Sequence, residues 1–157
     1  MILVSACLAG ESVRYDGRHC LQESIAKLVA QGKAMMVCPE VMGGLPTPRE
    51  PAEIVGGTGE DVLDGRAKVI DRSGQDVTAM YVEGAYLALE QARKWNATRI
   101  VLKENSPSCG STAIYDGSFS GKKVPGLGVT AALLKREGFT VVSEEALATD
   151  LDADICE

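Results

Sequence analysis

Three of the five cysteines in this chain stand just after short apolar runs, which predict buried β-strands. The three, each with the preceding run in parentheses, are Cys7 (residues 2–4), Cys38 (residues 34–37) and Cys109 (residues 99–102). If the strands are parallel in one sheet, their carboxyl ends share an edge, and the loops that leave this edge bring the three thiols together. Three soft ligands at one crevice predict a metal site, and a fourth ligand position is left for a substrate.

The composition is that of an ordinary globular protein. The 157 residues, 45% hydrophobic and 24% charged, fit a single domain, predicted to span residues 1–157. A net charge of −6 gives no extended cationic surface, which argues against long nucleic acid as a partner. Because no apolar stretch has the length of a membrane span and no basic leader precedes Cys7, we expect a cytoplasmic protein without a membrane partner. Thiols stay reduced in the cytoplasm, so an odd number of cysteines indicates metal binding or catalysis rather than disulfides.

A single cysteine after a buried strand is most often a small apolar core residue. The joint pattern of Cys7, Cys38 and Cys109 favours a functional site, because all three lie in loops rich in Gly, Pro and Ser at the same strand polarity. Cys20 precedes a helix and Cys156 lies in the C-terminal tail, so neither belongs to the set. Two alternatives stay open. One is a module that holds zinc or a cluster only for structure or sensing, and the other is a metal-free thiol enzyme, which is disfavoured because no histidine pairs plausibly with Cys38 or Cys109.

Strands alternate with helices along the chain, which predicts an α/β domain of three layers with a mostly parallel sheet. Helices are predicted at residues 21–30, 77–95 and 129–137, and core strands at residues 2–6, 34–37, 99–103 and 139–142. Asp76 is the predicted N-cap of the longest helix. Two alternating pieces, residues 54–55 and 67–70, predict a small hairpin. The tail from about residue 146 is expected to be peripheral.

Two loops at the predicted sheet edge have the composition of segments that build a site. Residues 38–48 carry a density of Gly and Pro that is expected to forbid regular structure and to fix the backbone stiffly, as in the wall of a pocket. Residues 104–128 form a stretch too long for a simple connection in a compact domain. This loop is therefore expected to cover or build the site.

The ligand set favours an iron-sulfur cluster over zinc. Zinc sites usually draw on closely spaced cysteine pairs, which this sequence lacks, and His19 is the only histidine. Iron-sulfur clusters accept widely separated cysteines, and three thiolates on a four-iron cluster leave one iron open. An open iron is a Lewis acid with affinity for sulfur.

Six segments of the chain resemble the thiouracil desulfidase family, which was long filed as a domain of unknown function. The segments are Val4-Ser5-Ala6-Cys7-Leu8-Ala9-Gly10, Arg14-Tyr15-Asp16-Gly17, Cys38-Pro39-Glu40-Val41-Met42-Gly43-Gly44-Leu45-Pro46, Ser106-Pro107-Ser108-Cys109-Gly110, Tyr115-Asp116-Gly117-Ser118-Phe119-Ser120-Gly121 and Gly126-Leu127-Gly128-Val129-Thr130. The likeness covers roughly residues 1–145 in order, which argues against accident.

The resemblance implies a single-domain, Rossmann-like fold that holds a 4Fe-4S cluster through Cys7, Cys38 and Cys109, the same cysteines that the strand pattern selects. It implies an enzyme that removes sulfur from a small thiolated base or nucleoside, such as thiouracil, without net redox change. In this picture the C–S bond is cleaved hydrolytically at the open iron. Sulfide and the oxo base are the products.

The resemblance also places a carboxylate and a serine beside the cluster, which correspond to Glu40 and Ser106. Glu40 would activate a water molecule and return the proton to the leaving group or to a ring nitrogen. Without the resemblance, a solvated loop acid or a helix cap is an equally good interpretation of Glu40. Ser106 would hydrogen-bond the substrate or the water, although a serine before proline is more commonly a turn former.

One position departs from the family pattern. Family members often carry a further cysteine where this chain has Val13, and since three thiols suffice for an open site, that cysteine is interpreted as dispensable. Arg14, Asp16, Arg49 and Lys103 flank the proposed site, either as ordinary surface charges or, for the two arginines, in an ion pair that holds the pocket. Arg49 or Lys103 would contact a phosphate if the substrate is a thio-nucleotide. The sequence leaves the oligomeric state open.

Overall fold

The structure, a computed structural model, describes residues 1–5, 19–46, 50–103 and 106–143, with only the backbone described for residues 19–24. Five helices and eight strands lie in these ranges. In chain order they are β1 (Ile2–Ser5), α1 (His19–Ala30), β2 (Ala34–Val37), α2 (Pro39–Met42), β3 (Ala52–Val55), α3 (Gly59–Leu63), β4 (Lys68–Asp71), α4 (Thr78–Lys94), β5 (Arg99–Leu102), β6 (Ala113–Tyr115), β7 (Lys123–Pro125), α5 (Val129–Arg136) and β8 (Val141–Ser143).

The central sheet has four parallel strands in the order β2-β1-β5-β8. The register pairs Ser5 of β1 with Val37 of β2, and Val4 of β1 with Val101 of β5. β1, β2 and β5, the strands that precede the three cysteines in the chain, therefore end at one edge of the sheet. The parallel arrangement predicted from the apolar runs is confirmed.

The central strands are buried on both faces, as is usual for a parallel sheet covered by helices. On one face, Leu3, Ile100 and Leu102 belong to the main core, to which α4 and α5 contribute their buried side chains. On the other face, Val4 and Val101 pack in a second core with residues of α1. This alternation of successive side chains places the sheet between two helical layers. The predicted three-layer α/β fold with a parallel sheet is confirmed.

Two antiparallel hairpins lie outside the central sheet. β3 and β4 form the hairpin that was predicted from residues 54–55 and 67–70. Their connection contains α3, which begins with a capping box in which the Asp61 carboxylate accepts the backbone N–H of Thr58 at 2.9 Å. β6 and β7 form the second hairpin.

The expectation of irregular structure in the two loops is wrong in part. Within residues 38–48, Pro39–Met42 forms α2, and its proline occupies the first helical position, where a missing N–H costs nothing. Within residues 104–128, β6 and β7 pair with each other. Short elements of three or four residues carry too few apolar positions to show a period in the sequence.

Several predicted boundaries are also off by one or two residues. α1 begins at His19 and therefore includes Cys20, which was predicted to precede it. The N-cap of α4 is Val77 rather than Asp76, although the Asp76 carboxylate still accepts the N–H of Thr78 at 2.9 Å. The last strand begins at Val141, because the N–H of Phe139 bonds back to the Leu134 carbonyl and completes the end of α5. The predicted peripheral tail lies outside the described residues. None of the described helices combines the length and apolar character that a membrane span requires.

Candidate functional site

The candidate site is built on the segments that follow the carboxyl ends of β1, β2 and β5. Cys38 comes directly after β2, and Cys109 lies on the loop after β5. β1 runs between these two strands, and Cys7, two positions beyond its last residue, lies outside the described residues. Neighbouring strands are about 4.8 Å apart, so β2 and β5 are about 10 Å apart across β1. The segments that carry Cys38 and Cys109 thus flank the strand that leads to Cys7.

The end of β1 is tied to the exit of β5. The buried hydroxyl of Ser5 accepts the backbone N–H of Lys103 at 3.0 Å. This bond extends the contact between the two strands beyond their last paired residues, Val4 and Val101. The carboxyl end of β1 is therefore fixed beside β5.

Ser106 organises the loop that carries Cys109. Its Oγ accepts the N–H of Ser108 at 3.0 Å and the N–H of Cys109 at 3.1 Å. Its carbonyl accepts the N–H of Gly110 at 2.9 Å. A serine hydroxyl has two acceptor positions and one hydrogen, so both acceptors of Ser106 serve the loop and its O–H is the group that it offers to another partner. The turn-forming interpretation of Ser106 is confirmed, and the turn fixes the backbone at Cys109.

The first turn of α5 packs on the same loop. Its N–H groups donate to loop carbonyls, from Val129 to Pro107 and from Thr130 to Ser108, both at 2.8 Å. Gly128 lies so close that an added Cβ would stand 2.5 Å from the carbonyl carbon of Ser108. Main-chain contacts from α5 therefore fix the peptide unit before Cys109.

Cys109 is 3% exposed and lies beside two buried hydroxyl groups. Its Sγ is 3.7 Å from Ser108 Oγ, which is 2.7 Å from Thr130 Oγ1. If Cys109 is a thiolate, Ser108 must donate to the sulfur and Thr130 must donate to Ser108, because each hydroxyl has one hydrogen. Such hydrogen bonds to ligand sulfurs are one way in which proteins tune iron-sulfur clusters.

Cys38 and Glu40 lie on one short, stiff unit. Cys38 is the partly exposed N-cap of α2, and Glu40 lies in the first turn. The carboxylate of Glu40 accepts the hydroxyl of Tyr81, on α4, at 3.1 Å. A thiol and a carboxylate that is already oriented are therefore presented at the same edge of the sheet.

Two glycines let α2 lie directly against the backbone of α4. A Cβ added at Gly43 would stand 2.0 Å from the carbonyl oxygen of Met80, and one added at Gly84 would stand 1.9 Å from the carbonyl oxygen of Pro39. At these separations no side chain fits between the two backbones. The position of Cys38 and Glu40 is thus set by main-chain contact with α4.

Gly84→Ala should push α2 away from α4. Overpacking usually costs about 1–3 kcal/mol, and here the obstructing atom belongs to the backbone and has no rotamer to change. The better helix propensity of alanine offsets up to about 1 kcal/mol of this cost. We therefore expect a net loss of about 1–2 kcal/mol in the free energy of unfolding, measured by urea denaturation. The control is Glu83→Ala, on the exposed side of the same turn, and a Gly84→Ala variant as stable as this control would contradict the packing.

Glu53, which the sequence analysis did not single out, holds the turn between β6 and β7. It is 9% exposed, and its carboxylate accepts the N–H of Gly117 at 2.9 Å and the N–H of Phe119 at 3.1 Å. In the same turn, hydrogen bonds from the side chain and then the backbone of Ser118 lower the pKa of Asp116. In the sequence, Glu53 is marked only as an acid directly before the predicted hairpin piece at residues 54–55.

A surface cavity of about 580 Å³ opens beside Tyr81. Leu45 and Pro46, from the segment predicted to wall a pocket, line it together with Ala52, Val77, Met80 and the polar residues Glu50, Asp71 and Gln75. The Asp71 carboxylate is engaged by the hydroxyl of Ser73 and the N–H of Gln75, which lower the pKa of Asp71. Arg14, Asp16 and Arg49 lie outside the described residues.

The thiol donors fit an iron-sulfur cluster in their chemistry. Neither Cys38 nor Cys109 forms a disulfide bond. In the part of the chain that the structure describes, which does not include Cys7, no three potential metal-ligating side chains form a group. With Cys7 the set is three cysteine thiolates, and thiolate is the ligand that such clusters use.

Fold and site together define an α/β protein with cysteine-bearing loops at the carboxyl edge of a parallel sheet. Residues 2–146 match the model of the 2-thiouracil desulfurase family. The chain belongs to this family, which confirms the resemblance drawn from its six segments.

Two relatives extend the comparison over almost the whole chain. The uncharacterized protein YbbK of Bacillus subtilis strain 168 is 60% identical over 147 residues, which cover 94% of this chain and 97% of YbbK. A solved structure described as the 4Fe-4S-dependent thiouracil desulfidase TudS is 46% identical, with a TM-score of 0.76. That similarity covers 96% of this chain and 97% of TudS.

Proposed function

We propose that this protein is a desulfidase that removes sulfur from a small thiolated nucleobase, such as 2-thiouracil, with a 4Fe-4S cluster as its cofactor. The proposal is supported by membership in the 2-thiouracil desulfurase family and by the similarity to TudS. The observation that carries it is the placement of Cys38 and Cys109, neither of them in a disulfide, after strands that lie on either side of β1.

Cys7, Cys38 and Cys109 are the proposed ligands of the cluster. The three thiolates match the chemistry that iron requires, and each cysteine follows, in the chain, a strand that ends at the same edge of the sheet. When bound through three thiolates, a 4Fe-4S cluster supplies an iron without a protein ligand, which is a Lewis acid with affinity for sulfur.

The net reaction exchanges the sulfur of a thiocarbonyl for the oxygen of water. A C–O bond forms at the ring carbon, the C–S bond breaks, and both protons of the water end on the released sulfide or on solvent, so no electrons are gained or lost. Glu40 is the proposed proton carrier, which takes a proton from the attacking water and returns it to the leaving sulfur or to a ring nitrogen. The hydroxyl of Tyr81, which donates to the carboxylate, holds Glu40 at the carboxyl edge of the sheet.

Ser106 is proposed to act as a hydrogen-bond donor beside the reacting atoms. Both acceptor positions of its hydroxyl are engaged by the N–H groups of Ser108 and Cys109. The O–H therefore points its hydrogen away from the loop that it organises, and it can bind the substrate or the water as a donor.

The proposed compartment is the cytoplasm, because a cluster held by cysteines needs thiols that stay reduced. A thiolated nucleoside is a substrate of the same class as the base. It would present the same thiocarbonyl with an added sugar.

Sulfide release from 2-thiouracil tests the proposal. Protein reconstituted anaerobically with iron and sulfide should convert 2-thiouracil to uracil and release one sulfide per uracil, whereas the same protein stripped of iron should do neither. Uracil is followed by its absorbance and sulfide by a colorimetric assay. A reconstituted protein that binds its cluster and releases no sulfide would contradict the proposal and favour a structural or sensing module.

A further inference from the structure

We propose that Tyr81 is a positioning residue for catalysis, which orients the carboxylate of Glu40. This inference rests on the proposed function and assigns a role to a residue that the sequence pattern places only in the apolar stripe of α4. The hydroxyl of Tyr81 donates to Oε2 of Glu40 at 3.1 Å, across 41 positions of sequence.

The burial of Tyr81 makes this contact directional. The whole residue is 2% exposed and belongs to the main core, so its ring has no freedom to follow a moving partner. Glu40 is only partly buried and has three side-chain torsions of its own. Because the donor is buried and the acceptor is only partly buried, we expect Tyr81 to orient the carboxylate of Glu40 rather than the reverse.

The packing of α2 on α4 gives the contact its precision. Gly84 lies three positions after Tyr81, on the same side of α4, and its backbone touches the carbonyl of Pro39, the residue before Glu40. The main chain at Glu40 is therefore held by Gly84 while the carboxylate is held by Tyr81. One face of α4 thus controls both the position and the orientation of the proposed proton carrier.

Tyr81→Phe, which keeps the ring and removes the hydroxyl, is the first test. We expect kcat for sulfide release to fall roughly ten- to a hundredfold, because a misplaced catalytic group costs this much, with KM unchanged within about twofold. Iron content per chain and melting temperature should stay close to those of the wild type. The matched control is Tyr86→Phe, the same change at a 52% exposed position of the same helix, which should leave all four quantities unchanged.

The double variant Glu40→Gln, Tyr81→Phe separates positioning from a general structural effect. If Tyr81 acts through Glu40, removing its hydroxyl should have no further effect on the residual kcat of Glu40→Gln. Additive losses would overturn the inference, as would an unchanged kcat in Tyr81→Phe or a loss of iron from that variant. A wild-type protein that releases no sulfide would instead contradict the proposed function itself.

Discussion

Cys109→Ala should remove most of the iron from the reconstituted protein and abolish sulfide release. The wild type is expected to hold about four irons per chain through three thiolates, and two remaining thiolates leave two irons without a protein ligand. Iron per chain and the visible absorbance of the cluster, measured under anaerobic conditions, report the loss. Cys38→Ala should behave in the same way, because the two cysteines flank β1 at the same edge.

The control for these variants is Cys156→Ala, the same change at a cysteine outside the predicted ligand set. It should retain the full iron content and activity. Since Cys109 is buried, the melting temperatures of the iron-free proteins must also be compared, so that loss of iron is not confused with loss of fold. A Cys109→Ala protein that is folded and still binds about four irons per chain would show that Cys109 is not a ligand.

Glu40→Gln should separate the chemistry from cluster binding. The amide keeps the size of the side chain and can still accept the hydroxyl of Tyr81, but it cannot take a proton from water. Loss of a general acid or base usually costs about 10²- to 10⁴-fold in rate, so we expect kcat for sulfide release to fall by this factor with iron content unchanged.

The control for this prediction is Glu60→Gln. Glu60, like Glu40, is an acid in the first turn of a short helix, but it is exposed on α3. The Glu60→Gln substitution should not change the rate of sulfide release. If Glu40→Gln kept more than half of the wild-type kcat, Glu40 would instead be an acid that only stabilises the N-terminus of α2.

The sequence predicted the parallel sheet well, because its signals are local. The runs before Cys7, Cys38 and Cys109 are short and largely apolar, as strands of a parallel sheet usually are. The match is closest for β1 and β5, since β2 lies at the edge of the sheet and exposes Met36. The layers followed from the alternation of strands with helices. The boundary of the last strand was missed, since Phe139 is apolar like Val141 and Val142 and only the hydrogen bond to Leu134 shows that it closes a helix.

The parts of the site that the sequence did not reveal depend on tertiary contacts. In the sequence, Tyr81 is only one member of the apolar stripe of α4. Its hydroxyl meets Glu40 only after α2 has docked on α4. The docking of α2 on α4 requires glycine at positions 43 and 84, because the two backbones touch there. The two positions lie 41 residues apart, so the sequence does not show that they meet. The role of Glu53 could not be predicted from the sequence either, because the N–H groups that it binds belong to a turn more than 60 positions away.

The most direct test of this account is a crystal structure of the anaerobically reconstituted protein, with the irons located by anomalous diffraction. We predict one 4Fe-4S cluster at the carboxyl edge of the sheet, with the sulfurs of Cys7, Cys38 and Cys109 bonded to three irons and the fourth iron bonded to no protein atom. A cluster bound by Cys20 or Cys156, or a metal held by only two of the three predicted cysteines, would contradict it.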